Sequence, residues 1–517
     1  MTGNNKQSAA HEAVPHVGFI TLSVMLATIM QALDTTIANV ALPHMQGSMS
    51  ATQDQISWVL TSYIVAAAIF MPLTGFLTAR FGRKRIFIWA VVGFTVASML
   101  CGAAQDLGQI VFFRLLQGVF GAGLVPLSQS VMLDSYPREK HGSAMAVWGM
   151  GVMVGPILGP MLGGWLTEHY SWRWVFYINL PFGLLAWFGL KTYLKETEIN
   201  LSRRFDLQGF AYLSLAIGAL QMMLDRGESL DWFSSREVVI EGALAGLSLY
   251  LFVVHMFTAK RPFIEPGLFK DRNFTLGLLA IFVIGIILLA TMALMPPFMQ
   301  SLMGYPVIDV GYLLAPRGIG TMFAMFMVGK LSGKVDPRRV VLFGLLLTIL
   351  SLWEMSRFNT DITSWDIVRN GIVQGLGLGF VFVPLSTITF ATLDRHYRDE
   401  GTALFSLMRN IGSSIGISVV ITKLAQNTQA NHAAFADYVT PFSLPLQQAV
   451  EAGAYDLSTE QGLMSINGEV TRQAATLAYL QDFRLMMWIT LCAVPLILLL
   501  RSPRKQPTPA DIHEAME

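Results

Sequence analysis

The sequence predicts an all-α polytopic membrane protein, built as two related six-helix bundles with two transmembrane helices inserted between them. Three observations point there: an apolar composition, a ladder of hydrophobic runs, and an internal repeat. The 517 residues are 53% hydrophobic and only 13% charged, whereas soluble domains are about 25% charged. Mean hydropathy is +0.52. The net charge of +1 makes no field that would draw in nucleic acid. The two cysteines, Cys101 and Cys492, fall in apolar runs, so neither a disulfide framework nor a metal site is expected.

A bilayer core about 30 Å thick needs about 20 apolar residues per helix. About fourteen runs meet that length. Residues 1–16 are polar and lack the basic-then-apolar layout of a cleavable signal peptide, so they read as a cytoplasmic tail before a retained span. An N-terminal bundle over 17–193 holds spans near 17–40, 56–77, 86–104, 109–133, 142–166 and 174–193. A linker over 194–272 holds two more, near 206–224 and 238–258. A C-terminal bundle over 273–500 holds spans near 273–300, 309–332, 338–355, 365–392, 401–424 and 482–500. Within it, 425–481 is polar and reads as a periplasmic loop that turns helical from Gln447 to Leu480. Residues 501–517 form a second cytoplasmic tail.

Charge distribution sets the orientation, because short cytoplasmic loops are rich in Lys and Arg. With the N-terminus inside, Arg80, Arg83, Lys84 and Arg85 share one inner loop, and Lys191, Lys195, Arg203 and Arg204 another. Lys260, Arg261, Lys270 and Arg272, then Lys330, Lys334, Arg338 and Arg339, form two further inner clusters, with Arg501, Arg504 and Lys505 in the tail. A span missed mid-chain would erase this asymmetry. Both termini are therefore expected in the cytoplasm.

The halves repeat each other. QGVFGAGLVPLSQS from Gln117 answers QGLGLGFVFVPLSTIT from Gln374, and each follows an arginine, Arg114 or Arg369. A polar loop then leads to Gly142-Ser143-Ala144 or Gly401-Thr402-Ala403. The basic loops GFLTARFGRKR from Gly75 and GKLSGKVDPRR from Gly329 match as well. Parallel halves of this kind place a substrate cavity at their interface, near the bilayer midplane. Residues 206–258 have no counterpart and read as the insertion.

These residues resemble the major facilitator superfamily. Gly75, Leu77, Arg80, Gly82 and Arg83 stand where its loop signature between spans 2 and 3 has them, although Ala79 replaces the usual acid. Arg114, Gln117 and Gly118 resemble its span-4 motif. Gly151, Gly155-Pro156, Gly159-Pro160 and Gly163-Gly164 resemble its span-5 antiporter motif. LDTTIANVALP (33–43), WRWVFYINLPFG (172–183) and LDRGESLDWF (224–233) narrow the likeness to fourteen-span drug:proton antiporters of the EmrB/QacA type, and within that type to EmrB. The resemblance implies a major facilitator fold and no enzymatic activity. It implies proton-coupled efflux of small amphipathic toxic compounds by alternating access, with no cofactor besides the proton. It also implies a bacterial inner-membrane protein, with a periplasmic adaptor and an outer-membrane channel as partners in a tripartite pump.

Among single residues, Asp34 stands out as a carboxylate inside the first span, where ionisable groups are costly and usually functional. Arg114 lies at similar depth in span 4. The family architecture brings spans 1 and 4 together, so an Asp34–Arg114 pair is expected, either as a proton-coupling switch or as a permanent packing element. Arg369 is expected to take the place of Arg114 in the second half, and Arg317 and Arg409 also fall in or near spans. No carboxylate of the second half is expected to match Asp34 in depth: Asp309, Asp366 and Asp394 fall at span ends. The expected cavity comprises Asp34, Asn39, Gln117, Gln129, Met292, Met295, Phe298, Gln300, Arg369 and Gln374. The glycines and prolines of 151–164 are expected to pack span 5 tightly, and to act as a seal or pivot. Two other functions remain open: a dedicated exporter of a fatty acid, siderophore or other metabolite, and a non-transporting scaffold or sensor. With no Walker loop, ATP is not the expected energy source.

Overall fold

The computed structural model describes residues 15–201, 204–440, 442–453 and 455–501. The tails over 1–14 and 502–517, with Arg504 and Lys505, lie outside the described residues, as do Arg203 and Pro441. Every long element among the described residues is a helix. The chain packs as two compact units. One comprises the residues up to Phe205 together with Phe326–Lys334, and the other Asp206–Met325 together with the residues from Val335 on.

The first unit contains α1 (Val17–Ser48), α2 (Gln53–Phe70), α3 (Leu73–Phe81), α4 (Arg83–Ala103), α5 (Leu107–Gly121), α6 (Leu124–Ser135), α7 (His141–His169), α8 (Trp174–Tyr177) and α9 (Asn179–Tyr193). Helices α2 and α3 meet at a 55° bend. Pro72 sits at the break, where it removes a backbone donor and its ring crowds the preceding turn. In contrast α7 stays continuous through Pro156 and Pro160. Its glycines let it lie directly against α1: a Cβ at Gly155 would overlap the Ala32 carbonyl, and one at Gly159 the Thr36 side chain. The Thr36 hydroxyl also reaches the Gly155 carbonyl, at 3.0 Å, which ties the two helices together at this close approach.

The second unit contains α10 (Leu207–Arg226), α11 (Arg236–Thr258), α12 (Arg272–Pro297), α13 (Val307–Leu331, as far as Met325), α14 (Pro337–Met355), α15 (Ser364–Phe390), α16 (Arg398–Ala436), α17 (Leu444–Glu451) and α18 (Glu460–Leu499). The inserted pair α10–α11 rests on α16, where Gln221 Nε2 donates to Ser414 Oγ at 3.0 Å and Trp232 Nε1 to Thr422 Oγ1 at 2.9 Å. After Pro296 and Pro297, α12 loosens into a π-turn over Phe298–Leu302.

Eleven of the described helices are long and apolar enough to cross a membrane, or twelve if the bent pair α2–α3 is one span. The other two expected spans are weaker. The run 174–193 is broken, with α9 only 15 residues long, and α14 carries Arg338, Arg339 and Glu354 within its 19 residues. The stretch 425–481 is helical in its later part, as expected from Gln447 to Leu480, but its first part continues a span helix instead of forming loop. Helix α16 runs on to Ala436 and α18 begins at Glu460. The sequence QNTQANHAAFA after Leu424 and Ala425 has no Gly or Pro, so nothing in it breaks the helix. Gly453, in the left-handed region at φ 75°, marks one turn of the connection.

Candidate polar centres of the two units

In the first unit α1, α2, α5 and α9 converge on one charge pair. Asp34 and Arg114 are each 1% exposed, and Arg114 Nη1 donates to Asp34 Oδ2 at 2.7 Å. Asp34 Oδ1 accepts two more hydrogen bonds, from Gln117 Nε2 and from Asn179 Nδ2, both at 2.8 Å. The carboxylate therefore has a charged partner and two neutral donors, which a buried ion needs in place of water. The arginine is held as fully. Its Nε donates to the Val59 carbonyl at 3.0 Å, its Nη1 also reaches Gln117 Oε1 at 2.8 Å, and its guanidinium lies 4.4 Å over the Tyr63 ring. Asn179 is braced in turn by Ser98, whose hydroxyl accepts from Nδ2 at 2.9 Å. Asn179 Oδ1 has no hydrogen-bond partner.

Tyr63 and Asn179 had no place in the expected site. Asn179 lies in WRWVFYINLPFG, a run that carried the family resemblance but gave no sign of a contact with Asp34. Of the other first-unit cavity residues, Gln129 is fully buried with neither amide atom paired. Asn39 is exposed and bonded only to its own helix, at the Thr35 carbonyl.

The basic loop solves its missing acid locally. Ala79 contributes a carbonyl that accepts from Asn200 N at 2.8 Å, and Arg80 donates to the Leu201 carbonyl. Gly82, at φ 92°, turns the chain into α4. There Glu196 accepts from the backbone N–H groups of Lys84 and Arg85, at 2.9 and 3.2 Å. A carboxylate at a helix N-terminus meets both free donors and the positive end of the dipole. Arg83 pairs with Asp134 on α6 at 2.6 Å. Gly75, in α3, accepts from Thr78 Oγ1 through its carbonyl. In α5, Gly118 allows contact with the backbone of Tyr63. In α7, Gly151 faces Met25, Gly163 faces Ile37, and Gly164 has open space at its Cβ position.

The second unit differs from expectation. Arg369 does not stand where Arg114 stands. Arg114 precedes Gln117 by three residues, but Arg369 precedes Gln374 by five. Two residues at about 100° each turn the side chain to the opposite helix face. There Arg369 pairs with Glu354 on α14 and lies 52% exposed, while Gln374 is buried against Met355 of the same helix. Phe298 is wedged between α12 and α18 by Tyr479 and Phe483, with ring centroids 5.4 and 6.2 Å away. Met295 is buried, whereas Met292 and Gln300 are partly exposed. The second half also has a deep carboxylate after all: Asp482 in α18 is 1% exposed, and its Oδ2 lacks a partner. The expected span 482–500 begins on this residue, whereas α18 begins at Glu460 and carries it in mid-helix. The run Gly412–Gly416 has the letter spacing of a nucleophile elbow. It lies in mid-helix with both glycines against α12, so no strand-to-helix turn exposes its serine.

The sequence pattern of the Major Facilitator Superfamily matches residues 24–417. The chain belongs to that family. Membership in the superfamily makes it a multi-pass membrane transporter and accounts for the repeat. The fatty acid resistance protein FarB of Neisseria gonorrhoeae is 37% identical over 94% of this chain and 96% of its own length. The multidrug export protein EmrB of Escherichia coli K12 is 35% identical over 94% and 95%. The crystal structure of the human organic anion transporter MFSD10 has a similar fold, with a TM-score of 0.60 over 92% of this chain and 100% of that one. At 14% identity it speaks for the fold alone.

Proposed function

We propose that this protein is a proton-coupled multidrug efflux antiporter of the bacterial inner membrane. It exports amphipathic toxic compounds by alternating access through fourteen spans. The observation that carries this reading is the enclosed Asp34–Arg114 pair. Intramembrane charge is expensive and is usually retained for function. The 35% identity to the multidrug export protein EmrB supports the substrate class.

In this reading the proton goes to Asp34. Protonation cancels the attraction to Arg114 and turns one acceptor site of the carboxyl into a donor. Asn179 Oδ1, unpaired while Asp34 is ionised, can accept that new O–H once its amide turns over. Arg114, freed of its counter-charge, then biases the helices around it toward the alternative arrangement. Moving one charge through 100 mV supplies about 2.3 kcal/mol, so a membrane potential and a pH gradient together can drive accumulation on the far side. The adaptor and outer-membrane channel of a tripartite pump belong to the same reading, as does placement of both termini in the cytoplasm.

The test is substrate-driven proton flux in proteoliposomes. Wild type should release protons on addition of a cationic dye or an amphipathic drug, and Asp34→Asn should not. Full flux from a folded Asp34→Asn protein would end the coupling role. A dedicated fatty-acid exporter is the second reading, favoured by the 37% identity to a fatty acid resistance protein. A competition panel separates the two, since one tight ligand among many non-competitors marks a dedicated carrier.

A further inference from the structure

The two units reuse one backbone frame around different charges. In the first, the glycine after the motif glutamine, Gly118, allows α5 to touch the carbonyl of Tyr63. In the second, the equivalent Gly375 allows α15 to touch the carbonyl of Arg317. Arg317 thus stands on α13 where Tyr63 stands on α2. Likewise Gly155 of α7 touches the Ala32 carbonyl of α1, two residues before Asp34. Gly412 and Gly416 of α16 touch the Phe282 and Ile286 carbonyls of α12, and the residues two beyond are Ile284 and Leu288. The second frame therefore holds an arginine and no acid.

Arg317 is 9% exposed and, among the described residues, meets only uncharged acceptors: Thr291 Oγ1 at 3.0 Å and the Leu288 carbonyl at 3.3 Å, both on α12. A second cation, Arg409 of α16, faces the Phe382 ring of α15 at 5.9 Å and has no carboxylate partner among the described residues. Along α15, Phe382 lies seven residues beyond Gly375, roughly 10 Å at 1.5 Å per residue. The acids of the unit are used or remote. Glu400 of α16, 6% exposed, accepts from the Glu265 N–H at 3.0 Å and stands nine residues, or roughly 14 Å, from Arg409 along the helix. Glu354 is bound to Arg369 and Asn370. Asp482 faces Lys423, which is fourteen residues, or roughly 21 Å, along α16 from Arg409.

Two arginines with no carboxylate partner among the described residues leave positive charge uncompensated among α12, α13, α15 and α16. Guanidinium groups match planar oxyanions by paired hydrogen bonds. We propose that the interior of the second unit, among α12, α13, α15 and α16, binds the anionic head of an amphipathic substrate, with Arg317 and Arg409 as its contacts. The class is a singly charged carboxylate on an apolar tail. This rests on the export reading and adds the sign of the substrate's charge.

The test uses full-length protein in phosphatidylcholine nanodiscs, with empty discs subtracting partition into lipid. Dodecanoate and dodecyltrimethylammonium, equal in tail and opposite in charge, are titrated against tryptophan fluorescence. Wild type should bind dodecanoate at least about tenfold more tightly than the cation. Arg317→Gln and Arg409→Gln should each weaken dodecanoate about tenfold and leave the cation unchanged. Arg317→Lys, which keeps the charge but loses the fork, should fall between, and it carries the test if the glutamine variants do not fold. Tighter or equal binding of the cation by wild type overturns the proposal. So does an equal effect of the variants on both amphiphiles, or an Arg317→Lys protein indistinguishable from wild type. Binding is read without a gradient. Asp34-dependent flux of a cationic dye would therefore survive failure here and leave the export reading standing.

Discussion

Arg114 in the first unit and Arg317 in the second are both enclosed guanidinium groups near a motif glycine, yet their surroundings are opposite. Arg114 has Asp34 at 2.7 Å, and that acid is itself held by Gln117 and Asn179. Arg317 has a threonine hydroxyl and a carbonyl. Close helix packing in a membrane depends on small residues, because they set how near two backbones come. Charge pairing depends on which helix face a side chain leaves from. A repeat can therefore keep its glycines and exchange its electrostatics, and in the proposed reading this assigns a proton to one half and an anion to the other.

The largest effect should come from breaking the first unit's pair. Arg114→Ala strands a buried carboxylate, at a cost of about 3–5 kcal/mol. Thermal melting of the purified protein should drop accordingly, and Asp34→Asn combined with Arg114→Gln should recover most of the loss. Strictly additive losses would mean that the two residues do not act as a pair. Next comes Asn179→Leu, which removes a donor to a charged oxygen worth about 1.5–3 kcal/mol. It should lower both the melting temperature and substrate-driven proton flux. Unchanged flux would remove Asn179 from the proton step.

A third substitution would make the second unit resemble the first. Thr291→Asp places a carboxylate beside Arg317, within reach of the hydrogen bond that Thr291 now accepts. An internal counter-charge should lower dodecanoate affinity about tenfold, or about 1.4 kcal/mol. Undiminished binding would show that Arg317 does not meet the ligand. The smallest effect belongs to the basic loop. Glu196→Gln keeps an acceptor at the start of α4 but loses the charge on the dipole, worth about 0.3–1 kcal/mol. Amide exchange at Lys84 and Arg85 should quicken, and unchanged protection there would mean that the carboxylate charge contributes nothing.

Much of this protein was legible in the sequence, for reasons of local physics. Helices in lipid must bond their own backbone, so apolar length reports spans directly. Close packing needs glycine wherever it occurs, so the repeat showed itself as QG and Gly-small-Ala runs. Asp34 was visible because a lone acid in an apolar run is conspicuous. What stayed hidden was angular. Two extra residues between Arg369 and Gln374 swung that arginine onto Glu354 and out of the expected cavity. Likewise Asn179 was out of view as a ligand of Asp34, because the contact joins residues 145 positions apart. Asp482 drew no attention because the apolar run starts on it, and only α18, continuing back to Glu460, encloses it in mid-helix. Periodicity along one chain says which residues are apolar and roughly how deep they sit. Only the packed helices decide which side chain meets which, and so only tertiary structure separated a neutralised arginine from one left without a counter-charge.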